Sequence, residues 1–472
     1  MSMSRYNIIS VVIALLMSIQ MIGQERFSLA DAIKYALDHH PSITDARLDG
    51  ENAKWRYKEA LSIGIPSLTG NINYSFLYKL PTAPVTDFIS PSVYNVLILE
   101  EVNTQNGVLT PADIPVPGTF DVSFQQPHAL SFGLSSEFFL FDGNFLKGLK
   151  AAKLFIKLSE EQVELTEQDI VQNVARAYQA VLIALENVDI IDNNISNIEA
   201  TLAEAKETYK NGFIEQLDVD RLELSLENLT LEKRKLSELI DVNYAILKYQ
   251  MAYDMLQPIE VTEDLETVIA LMSLQPRSID SIDVNARPEH RLLNDAIELE
   301  YADLERIKQA YLPSVRAFAN YGQNLNRNNL FDGSETGFLP NGAVGLSARI
   351  PIYDSGATKA IVQQKKILIE KRQIELSEFD RAMALQVLTT ETQFKNAQTT
   401  LGGVKRSLEL NERIYDTAQI KYREGVGSSV EMAQAEASLY QAQANYIDAL
   451  YALLTSKTEL DIATGQILKT FN

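Results

Sequence analysis

The sequence contains two copies of one long pattern, and this duplication limits the fold more than any other feature. Two prolines recur at an unchanged separation in the second half of the chain (Pro41 and Pro66, then Pro288 and Pro313). Farther along, the stretch 132–143 recurs as 344–355, so the first copy is about 35 residues longer between these landmarks. Self-similarity on this scale indicates a duplicated supersecondary unit with one loop insertion, not a short-period solenoid.

The composition excludes several classes of protein and site. The chain has no cysteine, which excludes disulfides, thiolate metal sites and a cysteine-linked lipid anchor. Its net charge of -21 at pH 7 argues against nucleic acid as a partner, because phosphate binding requires basic surfaces. Two explanations of this charge stay open, namely general solubility and an acidic conduit that favours cations.

The first residues have the pattern of an export signal. Arg5 precedes an apolar run from Ile8 to Ile19, and Gly23 supplies a small residue near a cleavage point. We therefore predict a signal peptide over 1–23. The apolar run is shorter than the roughly 20 residues that a membrane-spanning helix needs, and no later stretch is apolar enough for one. Any membrane segment of the mature protein would then consist of β-strands.

A first structural repeat is predicted over 24–256 and begins with two helices. An apolar stripe from Leu29 to Leu37 predicts the first helix, which Pro41 ends. The second helix is expected from about Ser42 to Ile63. Beyond Pro66 the apolar period changes from that of a helix to that of a strand.

Four segments alternate apolar and polar residues, as strands with one apolar face do. They begin near Leu68, Leu130, Val315 and Val344, and the second pair is predicted within 314–353. Glu137 and its repeat equivalent Arg349 lie on the polar faces. These strands are long enough for an outer membrane, although a soluble sandwich would show the same alternation. Four strands cannot close a barrel, and lipid does not tolerate open edges, so the membrane interpretation requires several chains.

The extra residues of the first copy lie inside its strand pair. Residues 77–127 contain nearly half of the 15 prolines of the chain, which predicts a long irregular loop. The apolar run Val93–Leu99 lies within it. This run either packs the loop against itself or a neighbour, or serves a receptor or lid role.

Long helices are predicted after each strand pair. From Val163 to Tyr209 apolar residues recur at alternating steps of four and three, a 3.5-residue period that is typical of coiled coils. The first helical hairpin is predicted over 143–252 with a turn at Asn211 and Gly212. After an acidic connector over 257–287, the second repeat is predicted over 288–472, with its helical hairpin over 357–464.

The sequence offers no pattern for catalysis or for a cofactor. Its four histidines form no helical pair with a second ligand at metal-site spacing, and neither a G-x-S-x-G motif nor a P-loop occurs. We therefore expect no enzymatic activity, no metal site and no cofactor.

These features together resemble the outer membrane efflux proteins of the TolC family. The resemblance rests on the export signal, the segment from Ser28 to Pro41, the duplicated strand and helix pairs, and the matching turns Tyr209-x-x-Gly212 and Tyr422-x-x-Gly425. It implies a mainly α fold in a homotrimer. Each chain would give four strands to a twelve-stranded barrel in the outer-membrane lipid of a Gram-negative bacterium, and coiled-coil helices to a periplasmic α-barrel.

The family resemblance also implies a function and partners. The trimer would be the passive outer-membrane channel of a tripartite efflux or type I secretion system. An inner-membrane transporter of the RND or ABC type would deliver substrates through a periplasmic adaptor protein. The alternative is a periplasmic structural or adhesive coiled-coil protein without a pore.

The resemblance implies functional residues at the helical turns and in the barrel. Adaptor contacts are expected at Gly212, Phe213, Gly425 and Val426, and tunnel-end carboxylates at Asp218 and Glu431. Rings of carboxylates would select cations, although charges on a solvated helix surface would show the same pattern. Glu137 and Arg349 are expected in the barrel lumen. Gly427 replaces a basic residue that helps to hold the closed state in some members.

Overall fold

The computed structural model describes residues 25–104, 107–271, 284–334 and 337–470. The predicted signal peptide and part of the predicted connector lie outside these ranges. The described residues form two compact units. The helical unit comprises those of 1–57, 151–302 and 363–472, and the sheet unit comprises those of 58–150 and 303–362. Each unit therefore combines segments from both halves of the sequence.

Four helices of 35 to 68 residues dominate the fold. Helices α1 to α10 occupy, in chain order, Leu29–His39, Pro41–Ser62, Ile89–Leu99, Gly143–Lys210, Gln216–Met251, Leu265–Leu271, Pro288–Lys308, Ala357–Arg423, Ser429–Ala463 and Ile467–Thr470. Helices α4 and α5 form the first predicted hairpin, and α8 and α9 form the second. In the described ranges, no helix is both long and apolar enough to cross a bilayer.

The main sheet has four antiparallel strands in the order β10-β9-β7-β2. Strands β1 to β10 occupy, in chain order, Glu25–Phe27, Ser67–Phe76, Ala83–Thr86, Asn103–Thr104, Gly107–Val108, Thr119–Val122, His128–Phe141, Ile259–Val261, Ser314–Arg327 and Leu339–Arg349. The four predicted strands are therefore present. The central pairing of β7 with β9 joins the two sequence repeats in one sheet.

The register gives this sheet one apolar and one polar face, as the alternation predicts. Directly paired residues lie on the same face of a sheet. The apolar face carries Leu68, Ile72 and Tyr74 of β2, Phe132 and Leu134 of β7, Tyr321 of β9, and Val344 and Leu346 of β10. Glu137 pairs with Phe318 and Arg349 pairs with Ser314 on the polar face. The two charged residues therefore share the polar face but lie on different rungs of it.

The last predicted strand is shorter than expected. The prediction extended it to residue 353, but β10 ends at Arg349. Pro351 has no backbone N–H to donate to a neighbouring strand, so the ladder cannot continue through it. Ile350 and Ile352 therefore lie beyond the sheet, and both side chains are strongly exposed.

Residues 77–127 connect β2 to β7, as predicted, but their described part is not irregular. Strands β3 and β6 pair across this segment, and the apolar run lies in α3, from Ile89 to Leu99. Pro91 is compatible with this helix because the N–H groups of a first helical turn have no intrahelical acceptor. The carboxylate of Asp87 accepts hydrogen bonds from the backbone N–H groups of Ile89 and Ser90, which satisfies two of the remaining donors.

A small parallel pairing organises the core of the helical unit. Strand β8, from the predicted connector, pairs with β1 near the start of the described chain. The hydroxyl of the buried Tyr178 on α4 donates to the carbonyl oxygen of Phe27 at 3.1 Å. Ser28 caps α1, which buries Ala32, Ile33 and Ala36 in the same core. Residues 259–268 of the predicted connector therefore pack in the core of the helical unit.

Candidate functional site

The four long helices end together in one hydrophobic cluster. We call the turns at 211–215 and 424–428, with the adjoining helix ends, the tips. Their shared core contains Ile198, Leu202 and Ala205 of α4, Val219, Leu222 and Leu229 of α5, Tyr415 and Ala418 of α8, and Met432, Ala435 and Leu439 of α9. The two hairpins therefore pack against each other at the tips.

The first turn follows the glycine pattern found in the sequence. Gly212 has φ of +77°, a conformation that costs glycine little and other residues more. Its N–H donates to the carbonyl oxygen of Tyr209 at 2.8 Å, and the N–H of Phe213 donates to that of Thr208 at 3.1 Å. These bonds end α4 and place the Phe213 side chain in solvent, with 81% of its surface exposed.

The second turn repeats this geometry and adds a closer contact. Gly425 has φ of +73°, and Val426 is 79% exposed. A Cβ atom at Gly427 would lie 2.9 Å from Cβ of Lys421 and 3.1 Å from its carbonyl carbon. The tight turn itself therefore requires glycine at position 427, because it leaves no room for a side chain there.

Asp218 and Glu431 occupy the same position in the first turns of α5 and α9. The Asp218 carboxylate accepts a hydrogen bond from the N–H of Glu215 at 3.3 Å. The backbone N–H of Glu431 donates to the hydroxyl of Ser428 at 3.1 Å. A negative charge in a first turn is stabilised by the helix dipole and by the exposed N–H groups there. Both residues therefore have a local structural role.

The two carboxylates differ in their surroundings. Only 22% of the Asp218 side chain is exposed, and it lies 4.0 Å from the guanidinium of Arg221. The Glu431 side chain is 51% exposed and pairs with Lys421 at 2.9 Å. Asp218 lines a cavity of about 140 Å³ between α5 and α9, whereas Glu431 lines a groove of about 460 Å³ along α8 and α9. One chain therefore does not bring these carboxylates into a common site.

Polar contacts join the two hairpins at the tips, and the sequence analysis did not identify them. Arg221 on α5 donates to the hydroxyl of Ser429 on α9 at 2.8 Å. Ser225 donates to the buried carboxylate of Glu436. Burial, together with the charge of Glu436, raises the pKa of Tyr415 to about 12. The sequence does contain polar residues at core-facing heptad positions, which indicate buried hydrogen bonds. It does not show which residue each of them contacts.

A larger cavity opens between the end of α4 and the second turn. It has a volume of about 590 Å³ and is lined by Thr208, Phe213, Ile214, Arg423 and Gly425, among others. Tyr422 lies at its wall, and its buried hydroxyl has no hydrogen-bond partner among the described residues. Burial, and to a smaller degree the charge of Asp218, raises the pKa of this hydroxyl. Of the four residues expected to contact an adaptor, Phe213 and Gly425 line this cavity.

The predicted lumen residues belong to the sheet unit, where Glu137 and Arg349 are both exposed on the polar face. In the described part of the chain, no group of three or more His, Cys, Asp or Glu residues is arranged to hold a metal ion. The chemistry available at the tips is therefore hydrogen bonding, apolar contact and charge.

Comparison with known proteins gives a family match over most of the chain. The model of the outer membrane efflux protein family matches residues 117–257 and 298–466. The chain is 22% identical over 329 residues to the probable efflux pump outer membrane protein TtgC of Pseudomonas putida, which covers 68% of this chain and 65% of that protein. It is 20% identical over 359 residues to the outer membrane protein TolC of Vibrio cholerae, covering 74% and 79%.

The fold is also that of solved structures with little sequence identity. The channel-forming protein CusC superposes with a TM-score of 0.70 at 16% identity, over 93% of this chain and 92% of CusC. The open-state MtrE outer membrane channel of Neisseria gonorrhoeae superposes with a TM-score of 0.68 at 15% identity, over 93% and 89%.

Proposed function

The chain belongs to the outer membrane efflux protein family, and from this we propose that three copies form a passive duct through the outer membrane. An inner-membrane transporter of the RND or ABC type would supply the substrates and the energy, and a periplasmic adaptor would connect it to the duct. The duct itself would do no catalysis. It would serve either efflux or type I secretion.

The main sheet is the observation that carries this proposal. Its apolar face is open, with Leu68 74% and Ile72 72% exposed. Its outer strands β2 and β10 each pair on one side only. Large exposed apolar surfaces indicate contact with a membrane or a partner, and free strand edges favour pairing with another chain. A closed barrel of several chains would satisfy both the edges and the apolar face.

The helices support the same assembly. Leu217, Leu224 and Leu231 recur at intervals of seven along α5, and all three are exposed. Leu410 and Ile414, one turn apart, form a second exposed apolar stripe near the end of α8. Such stripes are coiled-coil seams that lack a partner in one chain. In the proposed trimer, each α5 seam would pack against the α8 stripe of the neighbouring chain.

Planar bilayers provide the test of the duct. The purified protein is expected to run as a trimer in mild detergent and to give discrete single-channel conductance steps. A monomeric protein that forms no pore would contradict the proposal.

The polar face of the sheet would then line the lumen, with Glu137 and Arg349 among its charged side chains.

The alternative, a periplasmic structural or adhesive protein, gives the opposite expectation for the apolar face. Fluorophores at Leu134 and Leu346 should be quenched by lipid-attached quenchers in the duct, but shielded from them in a soluble assembly.

We expect the tips to contact the adaptor. Phe213 and Val426 are exposed on tight turns, and the cavity beside Phe213 could receive a side chain of a partner. A photo-crosslinking amino acid at either position should capture the adaptor in cells. The same group at Trp55, which is exposed on α2, is the control and should not capture it.

Neutralising the tip carboxylates is expected to weaken cation selectivity. The double change Asp218→Asn and Glu431→Gln removes two negative charges per chain, and threefold symmetry would multiply the effect. The measurement is the reversal potential in a salt gradient, which should shift toward zero. Asp220→Asn, on the same helix turn, is the control. Unchanged reversal potentials in the double variant would show that these residues act only as helix caps.

A further inference from the structure

One part of the apolar face is hollow. The row of directly paired residues Gly70, Leu134, Tyr321 and Gly342 has glycine at both ends. A cavity of about 650 Å³ lies here, lined by Gly70, Ile72, Phe132, Leu134, Tyr321, Gln323 and Phe338, among others. A Cβ atom at Gly70 would lie 3.6 Å from the nearest Leu134 carbon, an ordinary contact. Gly70, which lines this cavity, therefore leaves space that a larger side chain would fill.

The loop end of the same face carries a cation. Arg327 pairs in register with His128, which pairs with Phe76, and this row is the last one before the loops. Arg327 is the charged residue of the apolar face, since the other charged strand residues, Glu137, Arg316 and Arg349, belong to the polar face. The chain has no lysine or arginine between Lys79 and Lys147. The cation at this rim therefore lies on the face whose strand residues include no other Lys, Arg, Asp or Glu.

Polar aromatic groups accompany this cation. The Tyr74 hydroxyl and Nδ1 of His128 are hydrogen-bonded at 2.9 Å. Amphipathic aromatic residues are typical of the level at which a membrane strand leaves the hydrocarbon. This row therefore marks the expected headgroup level of the apolar face.

The distance between the rim and the hollow fits one leaflet of a bilayer. Four to six residues of strand separate Arg327 from Gln323 and Tyr321, which corresponds to about 13–20 Å. With the usual strand tilt, the hollow lies roughly 10–15 Å below the headgroup level. Half of a hydrocarbon core is about 15 Å deep. An acyl chain whose headgroup is at the rim would therefore reach the hollow.

We propose that the hollow and its rim form a specific site for a phosphorylated glycolipid of the outer leaflet, of the lipid A class. One acyl chain fills the space beside Gly70, and Arg327 binds a headgroup phosphate, for which a guanidinium is well suited. The site rests on the proposed function, because the loop end of the strands faces outward only in the duct. Hydrogen bonds from Ser334 and, to a smaller degree, the charge of Arg327 lower the pKa of Asp332, so that a nearby carboxylate opposes the phosphate.

The test is native mass spectrometry of the detergent-purified full chain titrated with synthetic bisphosphorylated lipid A. The wild type is expected to bind it in preference to phosphatidylglycerol. Arg327→Gln and Gly70→Leu should each weaken lipid A binding about tenfold, and Asp332→Asn should tighten it. The control is Arg349→Gln, which makes the same change of charge on the polar face, outside the cavity lining, and should bind like the wild type.

The spectra and channel recordings together separate the two proposals. The oligomer mass in each spectrum verifies that a variant has assembled. Equal lipid A binding by the wild type, Arg327→Gln and Gly70→Leu would overturn the lipid site while a conducting trimer keeps the duct intact. Equal binding of lipid A and phosphatidylglycerol by the wild type would also overturn it. A monomer without conductance would remove the duct and, with it, the basis for the site.

Discussion

Replacing Leu224 with aspartate is expected to prevent the chain from assembling. Leu224 is the middle residue of the exposed α5 seam, and 62% of its surface is open to solvent in the single chain. Burying one leucine stabilises an interface by about 1.5–3 kcal/mol, and an unpaired charge in its place adds a further cost. A trimer contains three such contacts. The free energy of association lost at all three should therefore be larger than the stabilisation that the remaining seam residues provide. Light scattering in detergent would measure the molar mass.

Thr230→Asp is the control for this experiment. Thr230 lies six residues farther along α5, is exposed, and lies about 120° around the helix from the seam at about 100° per residue, so the same new charge should leave the trimer intact. Far-UV circular dichroism would verify that both variants keep their helices. If Leu224→Asp remained trimeric with full conductance, the α5 seam would not be a subunit interface.

Helices and turns were predictable because their determinants are local. The apolar residues from Val163 to Tyr209 repeat with the coiled-coil period, and α4 extends through all of them. Each predicted turn has a glycine where the backbone adopts positive φ, Gly212 in the first and Gly425 in the second. Such features depend on a few neighbouring residues, so a single sequence specifies them.

The errors arose where distant residues decide the structure. The prolines in 77–127 favoured an irregular loop, but the pairing of β3 with β6 and the capping by Asp87 allow α3 to form. The pairing of β1 with β8 joins residues that are 234 positions apart. No local pattern marks such a pair. The same reason explains why Arg221 and Ser429 were not predicted as partners at the tips.

Removing Arg287 is expected to destabilise the helical unit more than any surface change. Its guanidinium is buried and donates to Glu289 at 2.8 Å and to the side-chain oxygen of Gln386 on α8 at 2.8 Å. Glu289 also accepts a hydrogen bond from Gln168 on α4. Breaking a buried ion pair by removing one partner costs about 3–5 kcal/mol, so Arg287→Met should lower the free energy of unfolding by this amount. Chemical denaturation in detergent, followed by circular dichroism, would measure it.

The loss of stability in Arg287→Met should come from the Glu289 carboxylate, which keeps its charge but loses its partner. A second substitution and the pH dependence of stability both test this explanation. Burial alone would raise the pKa of Glu289, but the hydrogen bonds and charge of Arg287 lower it below its ordinary value. In the wild type this ion pair stabilises the fold above the unfolded-state pKa of about 4.3, and its contribution is lost as the pH falls through the lower folded-state pKa. Without Arg287, acidification instead neutralises an unpaired and partly buried charge, so the stability gap between the two proteins should narrow as the pH falls. Arg287→Met combined with Glu289→Gln should recover part of the loss at neutral pH. A gap that is independent of pH and unchanged in the double variant would mean that Arg287 acts through its packing against Phe379.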